Sequence, residues 1–258
     1  SREQYAKLME AGAHRYLLRI ESSNPKLYSM LHPNDGHHVW ETRRDCLLTL
    51  KDLGYQIGTG IMIQLPFQTY DDLASDIQFF KHIGTDMIGM GPYIVQKDTP
   101  LGKIWMNQMQ GKDLISSSDT EPSILAEYLR KYQSNGTAPF DKALYNKNLF
   151  RLSLKMIALS RIVNGPVNIA ATTALQAIHP AGREISLNCG ANMVMPIITP
   201  QKYRADYQLY EGKPCIDDDR EECRSCLTKR LKWAGKDLIK NKWGDPLTAK
   251  GRAKVYNE

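Results

Sequence analysis

The chain has 258 residues, 42% of them hydrophobic and 24% charged, with a formal net charge of +6. That balance belongs to ordinary globular proteins with enough apolar residues for a real core. The longest apolar stretches, Ile61 to Pro66 and Met193 to Ile198, fall far short of the roughly 20 residues that a membrane span requires, so a spanning class is excluded and no membrane partner is expected.

In chain order, Tyr5, Leu8 and Met9 fall on one helical face at the outset. With Ser1 in first place, this reads as a chain whose beginning is truncated inside an element. Short β-branched and apolar runs then alternate with longer amphipathic ones, the pattern of repeated βα units around a parallel sheet. The strand-like runs are Tyr16 to Ile20, Gly60 to Leu65, Met87 to Met90, Asn168 to Thr172 and Met193 to Ile198. Helix-like stretches lie between them at 39–53, 69–84, 148–163 and 179–189. The expected fold class is therefore α/β, a partial (β/α) barrel of TIM type with about five βα units. An eight-stranded closure would place about three further units upstream.

From about 96 to 147 the βα rhythm is interrupted. A surface insertion, with its core at about 102–147 and a helix at about 121–132, fits better than a long structureless loop. After about residue 200 the rhythm ends. Residues 1–200 are read as the barrel part and 201–258 as an appendage packed on it, with a basic helix at about 223–234.

In a (β/α) barrel the C-terminal strand ends build the active-site mouth. The exits here read Arg19 and Glu21, Met62 and Gln64, Met90 with Gly91 and Pro92, Thr172 and Thr173, and Met195 with Pro196. Arg19 and Glu21 flank Ile20, so their side chains leave on one side. A guanidinium and a carboxylate there suit a carboxylate and a ribose diol, or equally a structural salt bridge at the rim. Arg43 and Arg44 fall in the first turns of the following helix, near the same mouth. Thr172, Thr173 and Ala174 present two hydroxyls and backbone N–H groups, either an anion cradle or a capped turn. Methionines at strand ends also serve as core filler.

Of five cysteines, Cys215, Cys223 and Cys226 crowd into a C-x7-C-x2-C window. Thiolates so spaced are soft ligands for zinc or an iron–sulfur cluster; uncommitted thiols are the alternative. Cys46 and Cys189 stand in helical contexts and read as core residues. Positive charge gathers late, at Lys229, Arg230, Lys232, Lys236, Lys240, Lys242, Lys250, Arg252 and Lys254. With no aromatic stacking platform or nucleic-acid motif beside it, a solvated helix and tail is expected and nucleic acid is not.

The stretches AGAHRYLLRIESSNP, CLLTLKDLGYQIGTGIMIQLPFQT, DMIGMGPYIVQKDTPL, LKMIALSRI, NIAATTALQAIHPAGREISLNCGANMVMP and YQLYEGKPC resemble the HydE-type FeFe-hydrogenase maturases of the radical S-adenosylmethionine (SAM) superfamily. The resemblance covers most of the chain outside 102–147 and the extreme tail. It implies a barrel in which a 4Fe–4S cluster cleaves SAM to a 5′-deoxyadenosyl radical that acts on an iron-bound, cysteine-derived small substrate, in concert with other hydrogenase maturation proteins. Carried over by position, Glu21 resembles the contact to the SAM ribose and Arg43 the partner of the SAM carboxylate. Arg19, Met87, Thr172, Thr173, Ala174, Met195 and Tyr210 resemble the lining of the substrate and anion cavity. Cys215, Cys223 and Cys226 match the spacing of a dispensable accessory cluster of 2Fe–2S type. An anaerobic cytoplasm or a hydrogenosome-like matrix would suit such a protein.

The family's G-L-P-G-Q-T reads here Gln64-Leu65-Pro66-Phe67-Gln68-Thr69, so two glycines that permit close backbone approach are replaced and the geometry beside SAM is expected to differ. The C-x3-C-x2-C motif for the SAM-cleaving cluster does not occur in the 258 residues. The neighbouring readings are a methylornithine-synthase-like or biotin-synthase-like enzyme, and a non-catalytic cysteine-cluster or nucleic-acid module. The Thr-Thr-Ala segment and YQLY favour the maturase.

Overall fold

A computed structural model describes residues 1–133, 140–197, 199–207, 210, 212–213, 220–239 and 241–249, without the side chains of 207 and 220–224. Its elements are α1 (Arg2–Glu10), β1 (Arg15–Leu17), α2 (Pro25–Leu31), α3 (Trp40–Asp52), β2 (Gln56–Ile63), α4 (Tyr70–Ile83), β3 (Met87–Pro92), α5 (Pro100–Met109), α6 (Ile124–Tyr132), α7 (Lys142–Asn164), β4 (Asn168–Ile169), α8 (Thr173–Ile178), α9 (Gly182–Asn188) and α10 (Arg220–Trp233).

Local chemistry accounts for the main helices. α4 opens with a reciprocal capping box between Thr69 and Asp72 and ends on Gly84 in the left-handed conformation, φ 64°, which satisfies orphan backbone groups at both ends. Its Leu73, Ile77, Phe80 and Ile83 recur every three or four residues and are buried, giving the stripe that faces the sheet. α2 starts on an Asn24 cap followed by Pro25, a residue whose missing N–H costs nothing at a helix start.

The sheet is parallel throughout, in the order β1-β2-β3-β4. Gly58 pairs with Met87 and Ile61 with Met90, and Met87 in turn with Asn168. Alternation then assigns the two faces. Ile57, Ile61, Ile63, Ile88 and Met90 lie in the buried core, and Ser160 of α7 donates to the Met90 sulfur at 3.9 Å, so this face lies under the helices. Gly58, Gly60 and Met62 of β2 and Met87, Gly89 and Gly91 of β3 occupy the opposite face.

The five expected strands become four paired strands and one contact. β1 covers only Arg15–Leu17, because beyond it the backbone bonds become sparser: Leu18 N–H to Gly58 O, then Glu21 N–H to Gly60 O, with Ile20 N–H taken by the Thr59 hydroxyl. Asn168 to Thr172 shortens to Asn168–Ile169. The run from Met193 makes one isolated bridge, to Ala170, and Ile198 lies outside the described residues. The helix expected over 148–163 begins earlier, at Lys142, where Asp141 caps it through Leu144 N–H. The helix expected over 179–189 shortens to α9, Gly182–Asn188, which starts after Pro180. α2, α5 and α8 were not anticipated.

A segment near the C-terminus binds the opposite end of the sheet from the strand exits. Arg15 donates to Trp243 O and pairs with Asp245; Gln56 donates to the same carboxylate at 2.9 Å. Asn168 donates to Gly244 O at 2.9 Å and Thr248 to Asp86 at 3.1 Å. Residues 243–248 thus tie together the chain at the starts of all four strands. Burial alone would push the Asp245 carboxyl up, but the bonds from Arg15 and Gln56 hold it below the usual carboxylate range. Asp245→Ala removes both bonds from a half-exposed site, so the urea midpoint is expected to fall by the equivalent of about 1 kcal/mol with an unchanged slope.

Deep under α4, Asp76 accepts the Ser23 backbone N–H at 2.6 Å and anchors the chain after β1. Its side chain is fully buried, and this burial, with a smaller contribution from the Asp72 charge, pushes its pKa up to about 7 against the pull of Ser23. The folded state therefore holds this proton more tightly than the unfolded chain, where aspartate titrates near 3.9. The contribution of this group to stability is greatest below that value, declines as pH rises through about 4 to 7, and is flat above. Asp76→Asn keeps an acceptor and removes the charge. Thermal melts should show it more stable than the parent at pH 8 and close to the parent at pH 4; an equal gain at both would refute the assignment.

Candidate active site

The parallel register puts the exits of the four strands on one edge. Glu21 bridges to Ile61, which pairs with Met90, and the Thr172 hydroxyl reaches Met90 O at 3.4 Å. At about 4.8 Å per strand, Glu21 and Thr172 stand about 14 Å apart along this edge.

One group forms at the β1 side. Arg19 Nε donates to both Glu21 oxygens, at 3.1 and 3.3 Å, and its Nη2 donates to Ile61 O. Arg43, in the first turn of α3, donates to Arg19 O at 2.8 Å and stands 5.8 Å from the Tyr28 ring centre. Glu21 itself has φ 66°, a conformation costing about 1 kcal/mol or more in a residue with a Cβ. The structural salt bridge of the sequence reading is therefore formed. It leaves a half-buried carboxylate on the rim paired with Arg19. Arg44 points elsewhere, onto Asp45 and the Trp40 ring.

A second group forms at the β4 side. The Thr173 hydroxyl and Tyr210 OH lie 2.8 Å apart, and Ala174 sits beside Gly91, whose Cβ, if present, would come within 2.7 Å of the Thr172 oxygen. Both threonine hydroxyls are thus engaged within the protein. Met87 belongs to neither group. It opens β3, three residues below Met90 and so about 10 Å down the sheet, on the face turned from the helices. Met195 lies past the Met193 bridge and is half exposed.

Between the groups the sheet presents a wall that residue-by-residue reading missed. Gly58, Gly60, Gly89 and Gly91 carry no side chain on the face away from the helices. A Cβ on Gly60 would strike the Gly89 carbonyl oxygen at 1.8 Å, whereas one on Gly89 would meet nothing nearer than Thr59 O at 3.9 Å. Gly89 is nonetheless buried, so it faces a hollow. The Gly-x-Gly spacing in both GTGIM and GMGPY was the available signal, since period-two glycines empty one strand face.

The turn after β2 keeps the backbone that the absent glycines would allow. Gln64 and Phe67 have φ 66° and 69°. Gln68 stabilises them: its Oε1 accepts from Gln64 and Leu65 N–H at 2.7 and 3.1 Å, and its Nε2 donates to Met62 O at 3.1 Å. From outside, Ser117 N–H and Ile124 N–H bond Phe67 O and Gln68 O. The replacement of glycine therefore leaves the turn's path left-handed at both positions.

Of the proposed metal ligands, Cys215 lies outside the described residues, as do Lys240, Lys250, Arg252 and Lys254 of the basic run. Cys223 is on α10, one turn before an exposed Cys226; the spacing of three puts both on one helix face. Cys46 and Cys189 are half-buried, and Cys189 packs against the core. Among the described residues no group of three metal-ligating side chains assembles.

No family model matches the chain. Over 255 residues, 99% of its length, it is 40% identical to the [FeFe] hydrogenase maturase subunit HydE of Thermotoga maritima, of which it spans 59%. Among solved structures, methylornithine synthase (PylB) superposes with a TM-score of 0.58 over 93% of this chain and 56% of that one, at 17% identity. The structural likeness supports the α/β, TIM-type architecture. The sequence likeness spans every strand exit described above, over 59% of that relative's length.

Proposed function

We propose that the chain is part of a radical SAM maturase that acts in building the diiron subcluster of FeFe-hydrogenase, alongside other maturation proteins. The observation that carries this reading is the 40% identity extending over 99% of the chain. SAM bound to a 4Fe–4S cluster supplies a carbon-centred radical. Glu21 accepts the ribose hydroxyls, and Arg43, with N–H groups left beyond its bond to Arg19 O, meets the amino-acid carboxylate. Their placement on one rim, beside a hollow backed by Gly89, supports the fit. Arg19, Thr172, Thr173, Ala174, Tyr210 and Met195, with Met87 deeper on the same sheet, line the space for a small iron–cysteine-type substrate.

The five cysteines include no C-x3-C-x2-C set, so ligands for the 4Fe–4S cluster must come from polypeptide beyond these residues and the chain alone generates no radical. Cys215, Cys223 and Cys226 serve an accessory 2Fe–2S cluster that turnover does not need. Residues 1–200 form the barrel part, with 102–147 as an insertion, and 201–258 the appendage.

Hydrogenase activation by the full-length protein in a reconstituted maturation mixture tests the reading; lysine turnover without activation would overturn it in favour of a methylornithine-synthase-like role. In the full-length protein, Glu21→Gln should weaken SAM binding by about 10- to 100-fold, the range for a hydrogen bond to a charged group. Gly89→Leu should fill the hollow and reduce maturation by about tenfold or more while SAM affinity stays within about threefold. Loss of both together would mean that Gly89 backs the SAM site instead.

A further inference from the structure

Beside the turn after β2, the start of α4 and the facing sides of α6 and α7 border a half-open cavity of about 390 Å³ with Gln64 on its lining. Three exposed cations border it: Lys131 from α6, 5.3 Å from the Tyr132 ring centre, and Arg151 and Lys155 from α7. Among the described residues none of the three forms an ion pair, although Lys26, Arg44 and Arg230 elsewhere each find a carboxylate. Arg151 and Lys155 are four residues apart on one helix, where like charges repel. Lys131 adds a third from the opposite wall. Glu127 stands four residues before Lys131, in the orientation that favours an ion pair, yet among the described residues it forms no salt bridge and stays on the cavity wall.

The remaining lining suits a polar ligand with a flat body. Tyr70, Tyr128 and Tyr132 provide ring faces. Burial, with the nearby Glu127 charge and Tyr132, pushes the Tyr70 hydroxyl up, so it remains a donor at neutral pH. Asn148 spends its amide N–H on Leu144 O at 2.8 Å. Gln64 is buried and belongs to the left-handed turn after β2.

We propose that this cavity binds a small phosphorylated ligand, with the phosphate oxygens held by Lys131, Arg151 and Lys155 and a hydroxyl or amine of the ligand held by Glu127. Three cations around one hollow, short of carboxylates, lose their mutual repulsion when a multivalent oxyanion enters. The volume lies at the small end of ligand cavities, which suits a metabolite and not a polymer. The cavity meets the turn after β2 at Gln64 but shares no residue with the proposed SAM contacts Glu21 and Arg43, and it does not rest on the maturase reading.

Calorimetric titration of the chain with inorganic pyrophosphate tests it. Saturable binding is expected, weakening as salt rises from about 50 to about 200 mM. The double substitution Arg151→Glu with Lys155→Glu should weaken it by about tenfold or more, while Lys229→Glu with Lys232→Glu on α10 should leave it unchanged. Should the reversed charges disturb folding, as judged by thermal melting, Arg151→Gln with Lys155→Gln takes their place. No saturation up to about 10 mM pyrophosphate, or binding that survives loss of Arg151 and Lys155, would overturn the proposal. The second outcome would move the anion elsewhere, as to the Thr172 side of the rim. Neither result requires SAM or hydrogenase, so neither bears on the maturase reading.

Discussion

The close approach of β2 and β3 governs the rest of the architecture. Gly60 lies so near the Gly89 carbonyl that any side chain there would collide with backbone, and no rotamer change can relieve a backbone clash. From that contact the register of β2 on β3 follows, and with it the common level of Glu21, Ile61, Met90 and the start of the threonine pair. The helix-side isoleucines hold the sheet against α4 and α7 by burial of apolar surface. On the opposite side, Gly89 leaves room where a ligand body would lie. One strand pair therefore serves both purposes, because alternation separates packing from vacancy.

The rim is secured from outside by α4. Asp72 caps the helix, accepts from Asn24 at 2.7 Å and takes the Ser117 hydroxyl at 2.5 Å. Asp76, one turn on, holds Ser23. Two carboxyls of one helix thus gather the chain after β1, the turn after β2 and the segment ahead of α6. Buried polar networks of this kind hold geometry more than they add stability, since each member left unpaired is costly. Asp76 retains one oxygen without a partner, consistent with a carboxyl carrying its proton. The strained Glu21, Gln64 and Phe67 backbones all occur on the two connections that this network supports, as expected where surrounding structure over-determines a local conformation.

The alternation of strand and helix was legible because β2 and α4 are strongly patterned: QIGTGIMI buries isoleucines at period two, and α4 has caps at both ends. The pairing of Arg19 with Glu21 was legible from the intervening Ile20. β1 and β4 read longer than they are, since runs of apolar residues cannot report where side chains begin to compete for backbone donors, as Thr59 does for Ile20. The depth of Met87 on the sheet was not legible, because depth is a matter of register with other strands. α2 and α5 were overlooked despite their caps, Asn24 with Pro25 and Thr99 with Pro100, which are start signals for short helices without a long apolar period. The glycine wall required two strands to be aligned before its four members could be seen as one surface.

The segment that joins Arg15 to Trp243 and Asp245 closes a loop of 228 to 230 residues. Loop-closure entropy grows only slowly with length, yet contacts so remote in sequence are among those that slow folding most. The starts of the four strands are thus expected to remain loosely aligned until late, when Gly244 reaches Asn168 and Thr248 reaches Asp86. The order of assembly would run from the locally wound β2–α4–β3 unit outward, with this clasp as a closing event that converts an open curved sheet into a fixed one.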